Sequence, residues 1–219
     1  MQVGELPPSA SALLEKFEAV GGCVNYVVID PEGDDPTLED TVRSAAVLAV
    51  ELLIARYARP PSLWRPVIDK ALASAMRGSL INPQSFLGPR WSQERQSLIV
   101  QQQVMHRHMS MWFHVRDVPI EANAIADFSQ STDIAKGYAY VFTDPPYGLR
   151  IKGAAVQDLF DSINADLLPD LAAPATRIWK WPTDWSTFFD PGHEWWGSFL
   201  WTIAQEHRAI MCIVASTTD

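Results

Sequence analysis

Apolar positions along the chain change their period several times, and each change marks an element. Leu13 to Val20 carries helical spacing and is closed by Gly21-Gly22, which predicts a short helix. Cys23 to Ile29 is dominated by β-branched and aromatic residues and reads as a strand. The acidic, proline-punctuated run from Asp30 to Pro36 is a loop. Thr37 with Asp40 approximates a capping box for the helix that follows. That helix is expected to run to Ala58, where Pro60-Pro61 stops it. It is apolar on nearly all sides, which places it in the middle of a fold.

A second helix is expected from Pro66 to Gly78, with Val67, Ile68, Ala71, Leu72 and Ala75 on one stripe. Ser92 to Met109 fits either helix or strand, and its length favours helix, whereas Met111 to Val118 fits a strand. From Gly137 the period becomes two: Tyr138, Tyr140 and Phe142 alternate with Ala139, Val141 and Thr143. Val156 to Leu168 is helical by spacing, and Arg177 to Trp181 is a strand ended by Pro182. Gly197 to Ala204 and Ala209 to Ala215 are apolar runs separated by Gln205-Glu206-His207-Arg208, a hairpin signal. The second run is apolar on both faces, so its strand is expected to be central. No fixed-period repeat and no Gly/Ser-rich linker interrupts the chain. The expected class is α+β: helices of the N-terminal half packed on a mainly antiparallel sheet built largely from the C-terminal half. Residues 1–219 are read as a single domain.

Composition narrows the function classes. At 219 residues and 47% apolar content the chain can bury a full core without metal or disulfide staples. Cys23 and Cys212 both sit in apolar runs and read as small buried hydrophobes in a reducing compartment. Met1 to Ser11 shows no secretory signal. Ala45 to Ala58 carries Glu51 and Arg56 and is shorter than the roughly 20 residues a membrane span needs. The expectation is a cytoplasmic protein with no membrane partner. The net charge is −9, distributed as −8 over residues 1–40, +7 over 41–116, −2 over 117–155 and −6 over 156–219. An acidic chain disfavours nucleic acid as a partner, and packing of oppositely charged segments accounts for the segregation.

Two stretches carry candidate chemistry. Trp179, Trp181, Trp185, Trp195, Trp196 and Trp201 are six of nine tryptophans, gathered around FFDPGHEWW. Indole serves cores and binding surfaces equally well, so about half are assigned to the core. The rest, with Asp190, His193 and Glu194, would form a binding hot spot. A metal reading fails on spacing, because HE here lacks the second His of HExxH and Pro191-Gly192 points to a turn, with Asp190 capping local N–H groups. His106 and His108 share a face only on a strand and make no complete site. The acids Asp30, Glu32, Asp34 and Asp35 lack the EF-hand pattern. No metal and no cofactor is expected, and no GxSxG elbow, Walker loop or defensible catalytic triad is present.

The second stretch is Val141-Phe142-Thr143-Asp144-Pro145-Pro146-Tyr147-Gly148. It resembles the DPPY motif of amino-group DNA methyltransferases, including the strand that precedes it. The resemblance implies that Asp144 and Pro145 accept hydrogen bonds from a flipped base and that Tyr147 stacks on it. It also implies an adenosylmethionine site on a glycine-rich turn, yet the sequence contains no GxG. Read as residues, Asp-Pro-Pro-Tyr-Gly is a turn, with Pro presetting one dihedral and Gly supplying the left-handed one.

The C-terminal stretch from FFDPGHEWWGSFLWTI to IVASTTD is similar to the tail of a group of uncharacterised bacterial proteins, some associated with polymorphic-toxin immunity loci. That resemblance implies a binding protein with no catalytic residues. The function expected is therefore a non-enzymatic cytoplasmic bacterial protein that binds another protein, in its most specific form an immunity protein neutralising a toxin domain. Its contact would be built from Trp185, Asp190, His193, Glu194, Trp195 and Trp196. Two alternatives stand beside it: a nucleobase-modifying enzyme using Asp144, Pro145, Pro146 and Tyr147, and a small-molecule domain with an aromatic pocket.

Overall fold

The structure is a computed structural model that describes residues 1–35, 37–57, 65–106, 111–120, 136–205 and 208–216. Two compact units interleave along the chain. The first takes residues 1–7, 23–83 and 170–219, and the second takes residues 8–22 and 84–169.

In chain order the elements are β1 (Gln2–Val3), α1 (Pro8–Ala19), β2 (Val24–Asp30), α2 (Glu39–Tyr57), α3 (Lys70–Ala75), β3 (Ser79–Ile81), α4 (Pro83–Leu87), β4 (Trp91–Ser92), β5 (Ser97–His106) and β6 (Met111–Pro119). They continue with α5 (Tyr138–Thr143), α6 (Ala154–Leu167), β7 (Arg177–Lys180), α7 (Asp190–Trp195), β8 (Phe199–Ala204) and β9 (Ile210–Ala215).

The first unit is built on a six-stranded sheet in the order β1-β2-β9-β8-β7-β3, antiparallel at every step. The expected hairpin is present, with Trp201 opposite Ile213, and β9 lies inside the sheet between β2 and β8. Every residue of β8 and β9 is buried, as strands apolar on both faces require. Helix α2 crosses β2, β8 and β9 and buries Thr41, Val42, Ala45, Ala46, Ala49, Val50 and Leu53. The alanines let its backbone approach Leu200, Cys212 and Val214 in one core, where each fully buried Val or Leu contributes about 1.5–3 kcal/mol. The fold is α+β, as the order of elements implied.

Three details of this unit differ from expectation. Asp35, rather than a Thr37–Asp40 box, organises the start of α2: its Oδ1 accepts from the backbone N and the hydroxyl of Thr37. Helix α2 is buried on one stripe only, since Ser44 and Glu51 of the opposite stripe are exposed. The helix expected over Pro66–Gly78 contracts to α3. Asp69 caps it by accepting from the N–H groups of Ala71 and Leu72, while Ile68 bridges to Ser186 as extended chain. That cap sets the helical phase, so Ala73 and Met76 turn inward and Val67 and Leu72 are exposed.

The second unit packs α1 on α6 and pairs β4, β5 and β6 in a three-stranded antiparallel sheet. Ser92–Met109 is therefore not helix: Ser92 ends β4, residues 93–96 turn, Ser97–His106 is strand, and residues 107–109 lie outside the described residues. Gln96 takes a positive φ of 49° and Arg95 N–H bonds the Ser92 hydroxyl, which turns the chain back before Leu98 and Ile99. The stretch beginning at Gly137 is helical rather than β. Over six residues the alternation of Tyr138, Tyr140 and Phe142 competes with an i, i+4 pair, and the pair wins. Tyr138 stacks on Phe86 at 4.9 Å and Phe142 stacks on Phe17 at 4.2 Å. Phe160 meets both α5 rings, and the Tyr138 hydroxyl donates to Asn164 Oδ1 at 2.9 Å. Inside this core Gln157 accepts from Leu98 N–H at 2.8 Å, tying α6 to β5.

Among the described residues no helix is long and apolar enough to cross a membrane. Cys212 is buried and Cys23 half-buried. Burial pushes the Cys23 thiol up to about 12 and raises that of Cys212 as well.

Candidate functional site

The tryptophan-rich stretch folds as β7, an irregular run, α7 and β8. Trp179 and Trp181, two apart across β7 and its exit, both enter the core shared with α2. The indole N–H of Trp181 donates to the buried Thr202 hydroxyl at 2.9 Å. Trp185 is 1% exposed, donates to Pro182 O at 2.8 Å and meets Phe189 edge-on. Trp196 is 4% exposed and lies edge-on to Phe199, which stacks on Trp201. Trp185 and Trp196 are thus core residues and leave the set of contact candidates. Their ring partners Phe189 and Phe199 lie only three or four residues away, but the sequence does not show which of the adjacent Trp195 and Trp196 turns inward.

What remains outside is α7. DPGHEW was expected as a turn, yet it forms a helix, because Pro is accommodated in a first turn where no N–H is needed. The N-cap is Phe189, with no side-chain cap, so Asp190 does not serve the capping role expected of it. Gly192 is buried, and a Cβ there would fall against Gly197 O, Ser198 Oγ and Ser216 Oγ. The Ser198 hydroxyl in turn donates to Phe189 O at 2.7 Å, and Gly197 N–H to Gly192 O at 2.7 Å. This close seating holds Asp190, His193, Glu194 and Trp195 on the surface, with the Trp195 side chain 54% exposed. His193 Nε2 lies 2.7 Å from the Thr183 hydroxyl, next to exposed Asp184. The face offers one large indole among carboxylates on a fixed backbone, a composition suited to binding.

The Asp144–Tyr147 stretch is a separate arrangement in the second unit. Helix α5, not a strand, leads into it, and Gly148 N–H bonds Pro145 O at 2.8 Å with Gly148 at φ +69°, the turn its residues imply. Asp144 Oδ2 accepts from Arg90 Nη2 at 3.2 Å, and Arg90 Nη1 reaches the Thr143 hydroxyl at 3.4 Å. The Arg90 guanidinium sits 4.8 Å from the centre of the Tyr140 ring, and Lys136 Nζ sits 5.0 Å from it. Burial raises the Asp144 carboxyl above its ordinary value, against the pull of Arg90 and Lys136, and burial lowers Arg90. The acceptor that a flipped base would require is thus engaged by a guanidinium, while Tyr147 is 79% exposed. Arg90 and Lys136 were not singled out by sequence reasoning. Only the basic character of residues 41–116 hinted at Arg90, and nothing local marked its partner.

Among the described residues no group of three or more His, Cys, Asp or Glu could hold a metal ion. His106 lies on β5, and His108 falls outside the described residues. The basic segment is divided between the units. The first holds 15 acidic and 9 basic residues and the second 11 and 8, so both are net acidic. No family model, curated protein or solved structure matches the chain.

Proposed function

We propose that this chain is a non-enzymatic bacterial protein that binds another protein, neutralisation of a toxin domain being the most specific form, and that α7 makes the contact. One observation carries the reading: Trp195 is half exposed beside Asp190, His193 and Glu194 on a helix whose backbone is fixed by Gly192. A rigid indole ringed by polar groups is the usual form of an interface anchor. The net acidity of both units selects a basic partner and speeds its encounter.

The test is capture by the tagged protein from its native host, with products of adjacent genes co-expressed, followed by titration of the captured partner. Trp195→Ala is expected to weaken a stoichiometric basic partner about thirtyfold or more, as hot-spot truncations do. The melting temperature should stay close to wild type, because an exposed side chain contributes little to the core. Trp196→Ala removes a buried ring, costs about 3–5 kcal/mol of stability and is no probe of contact. Full affinity in Trp195→Ala would overturn the α7 reading.

A further inference from the structure

Helix α5 gives two of its aromatic rings to the core and keeps one at the surface. Tyr138 and Phe142 are buried, whereas Tyr140 is half-buried. Two cations share that third ring: Lys136 Nζ lies 5.0 Å from its centre and the Arg90 guanidinium 4.8 Å from it. Asp144, at the other end of α5, accepts from Arg90 Nη2 at 3.2 Å. The cluster therefore sets two cations and an aromatic ring around one carboxylate, all within the second unit.

Lys16, Lys70, Lys136, Lys152 and Lys180 are the lysines of the chain, and all are exposed, so access alone does not rank them. Among the described residues only Lys136 combines contact with an aromatic ring and a guanidinium against the same ring. Burial pushes its ammonium below the ordinary lysine value. Asp144 pulls the other way, and Arg90 adds to the lowering. An amine beside a second cation sheds its proton more readily, so more of it is the neutral nucleophile near neutral pH.

We propose that Lys136 is a modification site, acylated at Nζ by thioesters in preference to the other lysines because Arg90 and Tyr140 flank it. The neutral Nζ attacks the thioester carbonyl carbon, a C–N bond forms and the C–S bond breaks. The nitrogen gives up its proton to the departing thiolate, so the products are an amide and a free thiol. No oxidant and no further reactant enters. The amide carries no charge, which leaves Arg90 and Asp144 as one cation facing one carboxylate. The site shares no residue with α7, and either reading can fail without the other.

The experiment is trace labelling of the folded full chain with the neutral thioester S-acetyl-N-acetylcysteamine, stopped at low conversion, with peptide mass spectrometry reading the acetyl group on each lysine. A neutral donor is used so that the net acidity of the unit does not steer it. At about pH 7 Lys136 is expected to react about threefold or more faster than each of the other four lysines. The preference should shrink by about pH 10, where the neutral form is no longer scarce at any lysine. Arg90→Gln removes the neighbouring cation and leaves Asp144 to hold the ammonium. It should slow Lys136 about twofold or more while the other lysines keep their rates. Equal labelling of all five lysines at pH 7, or undiminished preference in Arg90→Gln, would overturn the proposal. In case Arg90→Gln fails to fold, the ranking in the wild-type protein and its change with pH decide: a preference that does not shrink toward pH 10 would refute the part played by the neighbouring cation.

Discussion

Arg90 and Asp144 show how a single ion pair can be set against its surroundings. The guanidinium, 12% exposed, bonds a carboxylate that is itself only 25% exposed, and burial raises the carboxyl even with that cation at 3.2 Å. A carboxyl with a folded pKa above its unfolded value stabilises the fold when protonated. That contribution is fully present below the unfolded pKa and is lost as pH rises through the folded one. Arg90→Leu removes the main influence opposing burial, so the Asp144 carboxyl should rise further. The substitution is expected to cost about 2 kcal/mol near neutral pH, the worth of a hydrogen bond to a charged group. It should cost less at about pH 4, where a larger share of Asp144 is protonated. Denaturant unfolding at both values checks this, and equal losses would contradict it. At this scale the sequence marks Asp144 by its motif and misses Arg90, because an ion pair between distant positions leaves no local pattern.

Elements were legible where one physical requirement dominated. The β8–β9 hairpin was readable because two strands buried on both faces must be apolar throughout, and few other structures demand that. Helix α6 was readable because its inward residues Val156, Leu159, Phe160, Ile163 and Leu167 keep one helical face over about three turns. Helix α5 was not, since six residues hold both a period of two and an i, i+4 aromatic pair, and Phe86, Phe17 and Phe160 decide between them. Helix α7 was misread because proline and glycine mark turns in general, while here one occupies a first turn and the other a site with no room for a Cβ. The candidate site was legible as a location, and its division into core Trp185 and Trp196 and surface Trp195 needed the packing. Gly192→Ala should therefore cost about 2 kcal/mol through overpacking, visible as a lowered melting temperature. An unchanged melting temperature would mean that α7 can shift without loss.

For the whole molecule, the arrangement of strands predicts a gradient of local stability. Strands β8 and β9 lie inside the six-stranded sheet, whereas β1 and β3 form its edges. Amide hydrogen exchange should be slowest in β8 and β9 and fastest at β1 and β3, with β2 and β7 between. Faster exchange in β9 than in β3 would be incompatible with this order. The division into two units was not legible in the sequence, because the segments of each alternate along the chain without a change of composition at their borders. The +7 charge of residues 41–116 is likewise shared between two units that are each net acidic.

The position of β9 also bears on when this protein can fold. Tyr26 faces Ile213 across the ladder, so the neighbour that β2 requires lies almost two hundred positions further along the chain and is translated long after it. Until β9 is translated β2 lacks that neighbour, and closing so long a loop is entropically costly and slow. Residues 8–22 and 84–169 are translated before β9, so the second unit has its whole chain available while the first does not. Assembly of the first unit therefore waits for β9, and until then the apolar residues of β2 and α2 are exposed to aggregation.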